Sequence, residues 1–234
     1  MSPHTTALCP TTLITRLRQA GCVFAEQEAG MITTSARTPQ DLTRMVDQRT
    51  SGTPLELQAL ARTRPGALVV DLCCGTAALG AVLATRREGV RLHAADIDAA
   101  SVRCARRNIT HLGGQVHHGD LFHPLPRALL GQVDVLVVNA PYVPTKQIAL
   151  LPCEVREHEP HRSLDGGTDG LDVVRRIASR ARAWLAPGAH LLVQAHPDQV
   201  GPAMDSFTRA GLRASWVTCP DTDTCAVLGL RPPA

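Results

Sequence analysis

Lysine is almost missing from this chain of 234 residues: Lys146 is the only one, and the other basic side chains among the 24 are arginines. Such a bias follows genome composition as readily as function, so it carries no argument by itself. Aromatic residues make up only 3% of the chain and include a single tyrosine, which leaves little material for stacking on nucleic-acid bases. The formal charge of +3 is too small for a nucleic-acid footprint, and no stable binding to nucleic acid is expected. No run approaches the roughly 20 apolar residues that a membrane span requires. The segment Met1 to Thr12 has no apolar core of the signal-peptide kind, so a cytoplasmic, membrane-free protein is expected. The eight cysteines contain no Cys-x-x-Cys pair and read as reduced thiols. Cys153, His158 and His161 fall close together in sequence, but their spacing matches no common zinc pattern, and no metal is expected.

What is present is an ordinary globular composition, 44% hydrophobic and 19% charged, in a length that suits one domain with a small appendage. The first third reads as helices. Leu13, Ile14 and Leu17 share a helical face that Gly21 can end. Thr38-Pro39-Gln40-Asp41 offers an N-cap threonine, a proline at the first helical position and an acid in the first turn. Residues 1–52 are read as a helical N-terminal domain and 53–66 as a connection, in which Thr53-Pro54 can start one more short helix.

From Ala67 the rhythm becomes alternating strand and helix. Strands are expected at Ala67 to Leu72, Arg91 to Ala95, Gln115 to His118, Val133 to Val138, His190 to Ala195, Ala214 to Thr218 and Cys225 to Leu230. Helices are expected at Thr76 to Thr85, Ala99 to Thr110, Asp169 to Leu185 and Gln199 to Ala210. A long loop runs from the end of the fourth strand to about Thr168. This order predicts an α/β sheet with helices on both faces. Its last two strands, joined by the turn Pro220 to Asp223, are predicted antiparallel.

Sheets of this kind bind ligands at the carboxyl ends of their strands. There the first strand gives Asp71-Leu72-Cys73-Cys74-Gly75, in which Gly75 allows a tight turn or a close ligand approach. The second gives Asp96-Ile97-Asp98, a carboxylate suited to ribose hydroxyls, although one of these acids can instead cap the next helix. The third gives Asp120-Leu121, suited to an adenine edge beside an apolar side chain. An acid at the start of the first loop would repel a pyrophosphate and suits the ammonium of S-adenosylmethionine better than NAD. The fourth strand ends in Asn139-Ala140-Pro141-Tyr142. The Asn amide oxygen and the residue-140 carbonyl are two acceptors, and Tyr142 is a flat face. Together they suit a planar NH2 group, held with its nitrogen toward a sulfonium methyl.

With these residues in place the chain resembles the release-factor glutamine methyltransferase family (HemK/PrmC-like). Three passages carry the resemblance: Asp71 to Gly75, Asn139 to Thr145, and Glu157 through Leu171, the last being the most specific to that family. The resemblance implies a helical N-terminal domain on a seven-stranded class I methyltransferase core, residues 67–234. It implies S-adenosylmethionine as cofactor and methylation of a glutamine amide in the Gly-Gly-Gln loop of a peptide-chain release factor, by a monomer. By position, Asp71, Leu72, Cys73, Cys74, Gly75, Asp96, Ile97, Asp120, Leu121 and Asn139 would line the donor site. Asn139, Ala140, Pro141 and Tyr142 would hold the glutamine.

Two departures from the family pattern stand out. Ala140 replaces a more usual proline, which keeps the backbone carbonyl that the chemistry needs, while Pro141 still holds residue 140 extended. The segment before the donor loop, from Pro54 to Gly66, is shorter than the family's. Methylation of amino groups in nucleic acid or in another small or protein substrate, and donor binding without catalysis, are the alternative readings.

Overall fold

The computed structural model describes residues 9–19, 25–36, 38–51, 54–153, 156, 159–219 and 224–233. Gly21, Glu157, His158 and the turn Pro220 to Asp223 lie outside the described residues. The chain divides into two compact units, residues 1–53 and 54–234.

The first unit contains α1 (Pro10–Gln19), α2 (Ala25–Ser35) and α3 (Pro39–Ser51). Leu13, Leu17, Ala25, Ala29, Ile32 and Val46 bury one another in a small core of their own. The expected cap of α3 is present: the Asp41 N–H donates to Thr38 Oγ1 at 3.0 Å.

The second unit starts with α4 (Pro54–Arg62), and the sheet follows. Its strands are β1 (Leu68–Leu72), β2 (Arg91–Asp96), β3 (Gln115–His118), β4 (Val133–Val138), β5 (Leu185–Ala195), β6 (Arg213–Cys219) and β7 (Thr224–Leu230). They lie in the order β3-β2-β1-β4-β5-β7-β6. The first five run parallel, and β7 is antiparallel to both β5 and β6. This is the Rossmann-like α/β fold of the class I methyltransferases, with the antiparallel final pair that the sequence predicts. The connecting helices are α5 (Ala78–Arg86), α6 (Ala99–Ile109), α7 (Asp172–Trp184) and α8 (Val200–Arg209).

Every residue of β1 is buried, as a central parallel strand covered on both faces requires. Leu68, Val70 and Leu72 join Val174, Ile177 and Phe207 of α7 and α8 on one face. Val69, Val135 and Val137 join Ala81, Ala105 and Ile109 of α5 and α6 on the other. α4, which falls within the stretch read from sequence as a connection, packs into this second cluster through Leu55 and Ala59.

Two boundaries differ from the sequence reading by three residues or more, each for a physical reason. α7 begins at Asp172 rather than Asp169, because Asp169 is drawn into an ion pair with Arg175 and its carboxylate also accepts from the Leu171 N–H at 3.2 Å. β5 begins at Leu185 rather than His190: the Ala186-Pro187-Gly188 turn is carried inside the strand, with Gly188 at φ 79°, and a register shift between Val133 and Val135 of β4 absorbs it.

Candidate active site

Parallel pairing places the carboxyl ends of β3, β2, β1 and β4 side by side in that order. All four sequence-predicted clusters therefore meet at one end of the sheet. Leu72, the last residue of β1, sits level with Ala95 of β2 and Val138 of β4. Leu72 itself is fully buried and supports the loop from below.

The loop after β1 is built from unusual backbone. Cys73, Gly75 and Ala77 all take left-handed conformations, at φ 53°, 54° and 58°. Glycine is the natural residue for such angles, and for Cys73 and Ala77 the conformation costs about 1–2 kcal/mol each. The loop is held nonetheless: the Gly75 N–H donates to Asp96 Oδ2 at 2.8 Å, and the Cys74 N–H to the Ala95 carbonyl at 3.2 Å. A side chain grown from Gly75 would meet no atom within 4 Å, so the space over the loop is open. Next to it, Ile97 leaves 51% of its surface exposed at the end of β2, large for an isoleucine in this sheet. An open backbone turn thus sits beside the Asp96 carboxylate and the uncovered Ile97 side chain.

The two acids of β2 divide their tasks. Asp98 caps α6 by accepting from the Ser101 N–H at 2.7 Å. Asp96 faces the loop, and its other oxygen accepts from the Asp98 N–H at 2.8 Å. Asp71 is 2% exposed, and its Oδ2 accepts from the Gly80 N–H at 3.0 Å, pinning the first turn of α5 against β1. Burial, with a smaller contribution from the charge of Asp96, pushes its carboxyl up to about 8. Burial likewise pushes the Cys73 thiol up to about 12, with the charges of Asp96, Asp71 and Asp120 adding to it, and raises Cys74. Neither thiol is a nucleophile at neutral pH. Asp120 lies in the turn after β3 and forms an ion pair with Arg176 of α7. Leu121, beside it, takes a left-handed φ of 49° and packs against the core.

The loop after β4 leaves the strand that neighbours β1. Asn139 is exposed, Ala140 is 2% exposed, and Pro141 and Tyr142 are half-buried. The residues that follow are tied to the segment 163–171. The Val143 N–H donates to the Leu164 carbonyl and the Gly166 N–H to the Val143 carbonyl, both at 2.9 Å, in a short parallel bridge. Thr145 donates through its hydroxyl to Asp165 Oδ1 at 2.7 Å and through its N–H to the Gly167 carbonyl at 2.9 Å. The second and third sequence passages thus form one braced structure. The carboxyl of Asp165 is lowered from its ordinary value, first by the Thr145 hydroxyl and then by the Gly167 N–H.

Sequence reasoning assigned no role to Gln199, which the structure buries against this loop. Its Nε2 donates to the Tyr142 carbonyl at 2.7 Å. The available signal was weak: a lone polar residue where a helix begins reads as a cap. Among the described residues no three His, Cys, Asp or Glu side chains gather as metal ligands do, and no helix is long and apolar enough to cross a membrane.

Comparison with known proteins agrees with this geometry. The methyltransferase small domain matches residues 45–152. The chain is 34% identical over 156 residues to a release factor glutamine methyltransferase of Geobacter sulfurreducens, covering 66% of this chain and 54% of the relative. It is also 34% identical over 170 residues to a 4-amino-L-phenylalanine/4-methylamino-L-phenylalanine methyltransferase of Streptomyces pristinaespiralis, covering 72% of this chain and 56% of the relative. Among solved structures, a methyltransferase from Pyrococcus furiosus superimposes with a TM-score of 0.56 at 15% identity, over 77% of this chain and 84% of that one. The chain spans about half the length of these curated relatives. In sequence the chain is thus similar to curated methyltransferases, and in fold to a solved one.

Proposed function

We propose that this protein transfers the methyl group of S-adenosylmethionine to the side-chain amide nitrogen of a protein glutamine, and that the acceptor is a peptide-chain release factor. The observation that carries the reading is the exposed Asn139 loop, set beside the open Gly75 turn and braced by residues 163–171. Cys73 through Gly75, Asp96, Ile97, Asp120 and Leu121 form the donor side, while Asp71 and Leu72, buried beneath the loop, support it rather than touch the donor. Asn139, the residue-140 carbonyl and the face of Tyr142 form the acceptor side. The methyl-transfer core is residues 67–234, with α4 packed into it. The protein works as a monomer in the cytoplasm.

The donor supplies an electrophilic methyl on a sulfonium sulfur. A glutamine amide nitrogen is a poor nucleophile because its lone pair is delocalised into the carbonyl. Hydrogen bonds from its two N–H groups to the Asn139 side chain and the residue-140 carbonyl favour the pyramidal nitrogen and aim its lone pair along the line of attack. The N–C bond forms as the S–C bond breaks, and the extra proton leaves the nitrogen afterwards. Positioning and electrostatics supply the acceleration, so no strong base is required.

Asn139→Ala is expected to lower the methylation rate by about 10²–10³-fold, as loss of one positioned polar group does. An unchanged rate would remove Asn139 from this role. A second reading is favoured by the Streptomyces relative, whose named substrates carry aromatic amino groups. The same two acceptors would grip such a nitrogen. Assay of release factor, free 4-amino-L-phenylalanine and nucleic acid under one set of conditions separates these acceptors by which one takes labelled methyl.

A further inference from the structure

Gln199 reaches three backbone groups on three separate segments. Its Nε2 donates to the carbonyl of Tyr142, after β4, at 2.7 Å and to the carbonyl of Asp169, before α7, at 3.1 Å. Its Oε1 accepts from the N–H of His196, after β5, at 3.1 Å. Gln199 is only 7% exposed, and all three polar hydrogen-bonding contacts of its buried amide go to main-chain groups. The pattern needs two donated protons and one accepted proton from a single flat group, which a primary amide provides and a carboxylate does not.

Gly170 makes room for the arrangement. A Cβ at that position would fall on the Tyr142 carbonyl oxygen and on Gln199 Nε2, and the residue holds φ at 79°. The Asp169-Gly170 pair and Gln199 therefore close on the Tyr142 peptide from two sides. That peptide directly follows the Asn139 to Tyr142 loop.

We propose that Gln199 is a positioning residue of the acceptor site, fixing the loop that grips the NH2 group by holding the Tyr142 carbonyl, with Gly170 as its steric counterpart. The role of the loop rests on the function proposed above; the clamp itself does not. Apart from Asn139, the donor residues follow β1, β2 and β3, and Gln199 bonds to His196, Tyr142 and Asp169 instead. Its loss should therefore act mainly on the acceptor.

The chain has one tyrosine, so protein labelled with carbonyl-13C tyrosine gives one carbonyl signal, that of Tyr142. Gln199→Met, which keeps the length and removes every polar atom, is expected to move that signal upfield as the hydrogen bond is lost. Gly170→Ala should move it the same way. Both should lower kcat/KM for the acceptor roughly 10²-fold, as a displacement on the order of 1 Å does, while donor affinity by titration calorimetry stays at the parent's value. If Gln199→Met does not fold, Gln199→Glu decides on the same readouts, since it keeps an acceptor for His196 and loses both N–H donors. An unmoved Tyr142 signal, or a fall in donor affinity equal to the fall in kcat/KM, overturns the proposal. A parent protein that methylates no glutamine overturns the proposed function instead, and the carbonyl signal still decides whether Gln199 holds the loop.

Discussion

Asp71 shows how one side chain can set a pH dependence for the whole fold. Its ordinary value is 3.8 and the fold raises it to about 8. Between those values the unfolded chain binds fewer protons than the folded one, so stability falls as pH rises through that window and the favourable contribution is complete only below about 4. Thermal unfolding from about pH 5 to 8 should show the parent losing melting temperature relative to Asp71→Asn, with the gap widening upward. Parallel curves would show that Asp71 is ionised throughout. The neighbouring thiols give a second test at this scale. Because burial raises both Cys73 and Cys74, iodoacetamide at neutral pH should modify the exposed Cys9 while sparing these two, as read by peptide mass mapping. Modification of Cys73 in the folded protein would contradict its placement.

Among the elements, the donor loop and the caps carry the clearest predictions. Asp98→Ala removes the cap of α6 and should cost about 1 kcal/mol in chemical denaturation. Gly75→Ala meets no atom, so its cost of about 1–2 kcal/mol would come from the left-handed backbone alone. A much larger loss would mean that the space over the loop is filled. The elements also show what could be read from sequence. Apolar runs such as Val133 to Val138 can only be buried strands in so regular an alternation, and Thr38 marked the start of α3 by its chemistry. Asp96 and Asp98 could not be separated in advance, because either carboxylate can reach a backbone N–H and only the turn geometry decides. From sequence, β5 is expected only from His190, because residues such as Pro187 and Gly188 usually end elements; a shift of register against β4 lets the strand carry them. Gln199 was invisible for a deeper reason. Its three partners are main-chain groups, which leave no trace in residue types.

At the scale of the molecule, the sheet order brings the ends of four parallel strands together, and this turns four separate sequence passages into one site. The loops proposed to hold donor and acceptor follow β1 and β4, which are neighbouring parallel strands. The 163–171 segment, about 20 residues further along the chain, braces the loop after β4. The most direct test is to incubate the protein with labelled S-adenosylmethionine and purified release factor, then locate the methyl by tandem mass spectrometry. The expected result is a single methyl on the glutamine of the Gly-Gly-Gln loop, lost in Asn139→Ala. A methyl found on another residue type or on nucleic acid, or equal transfer by the Asn139→Ala variant, would contradict it.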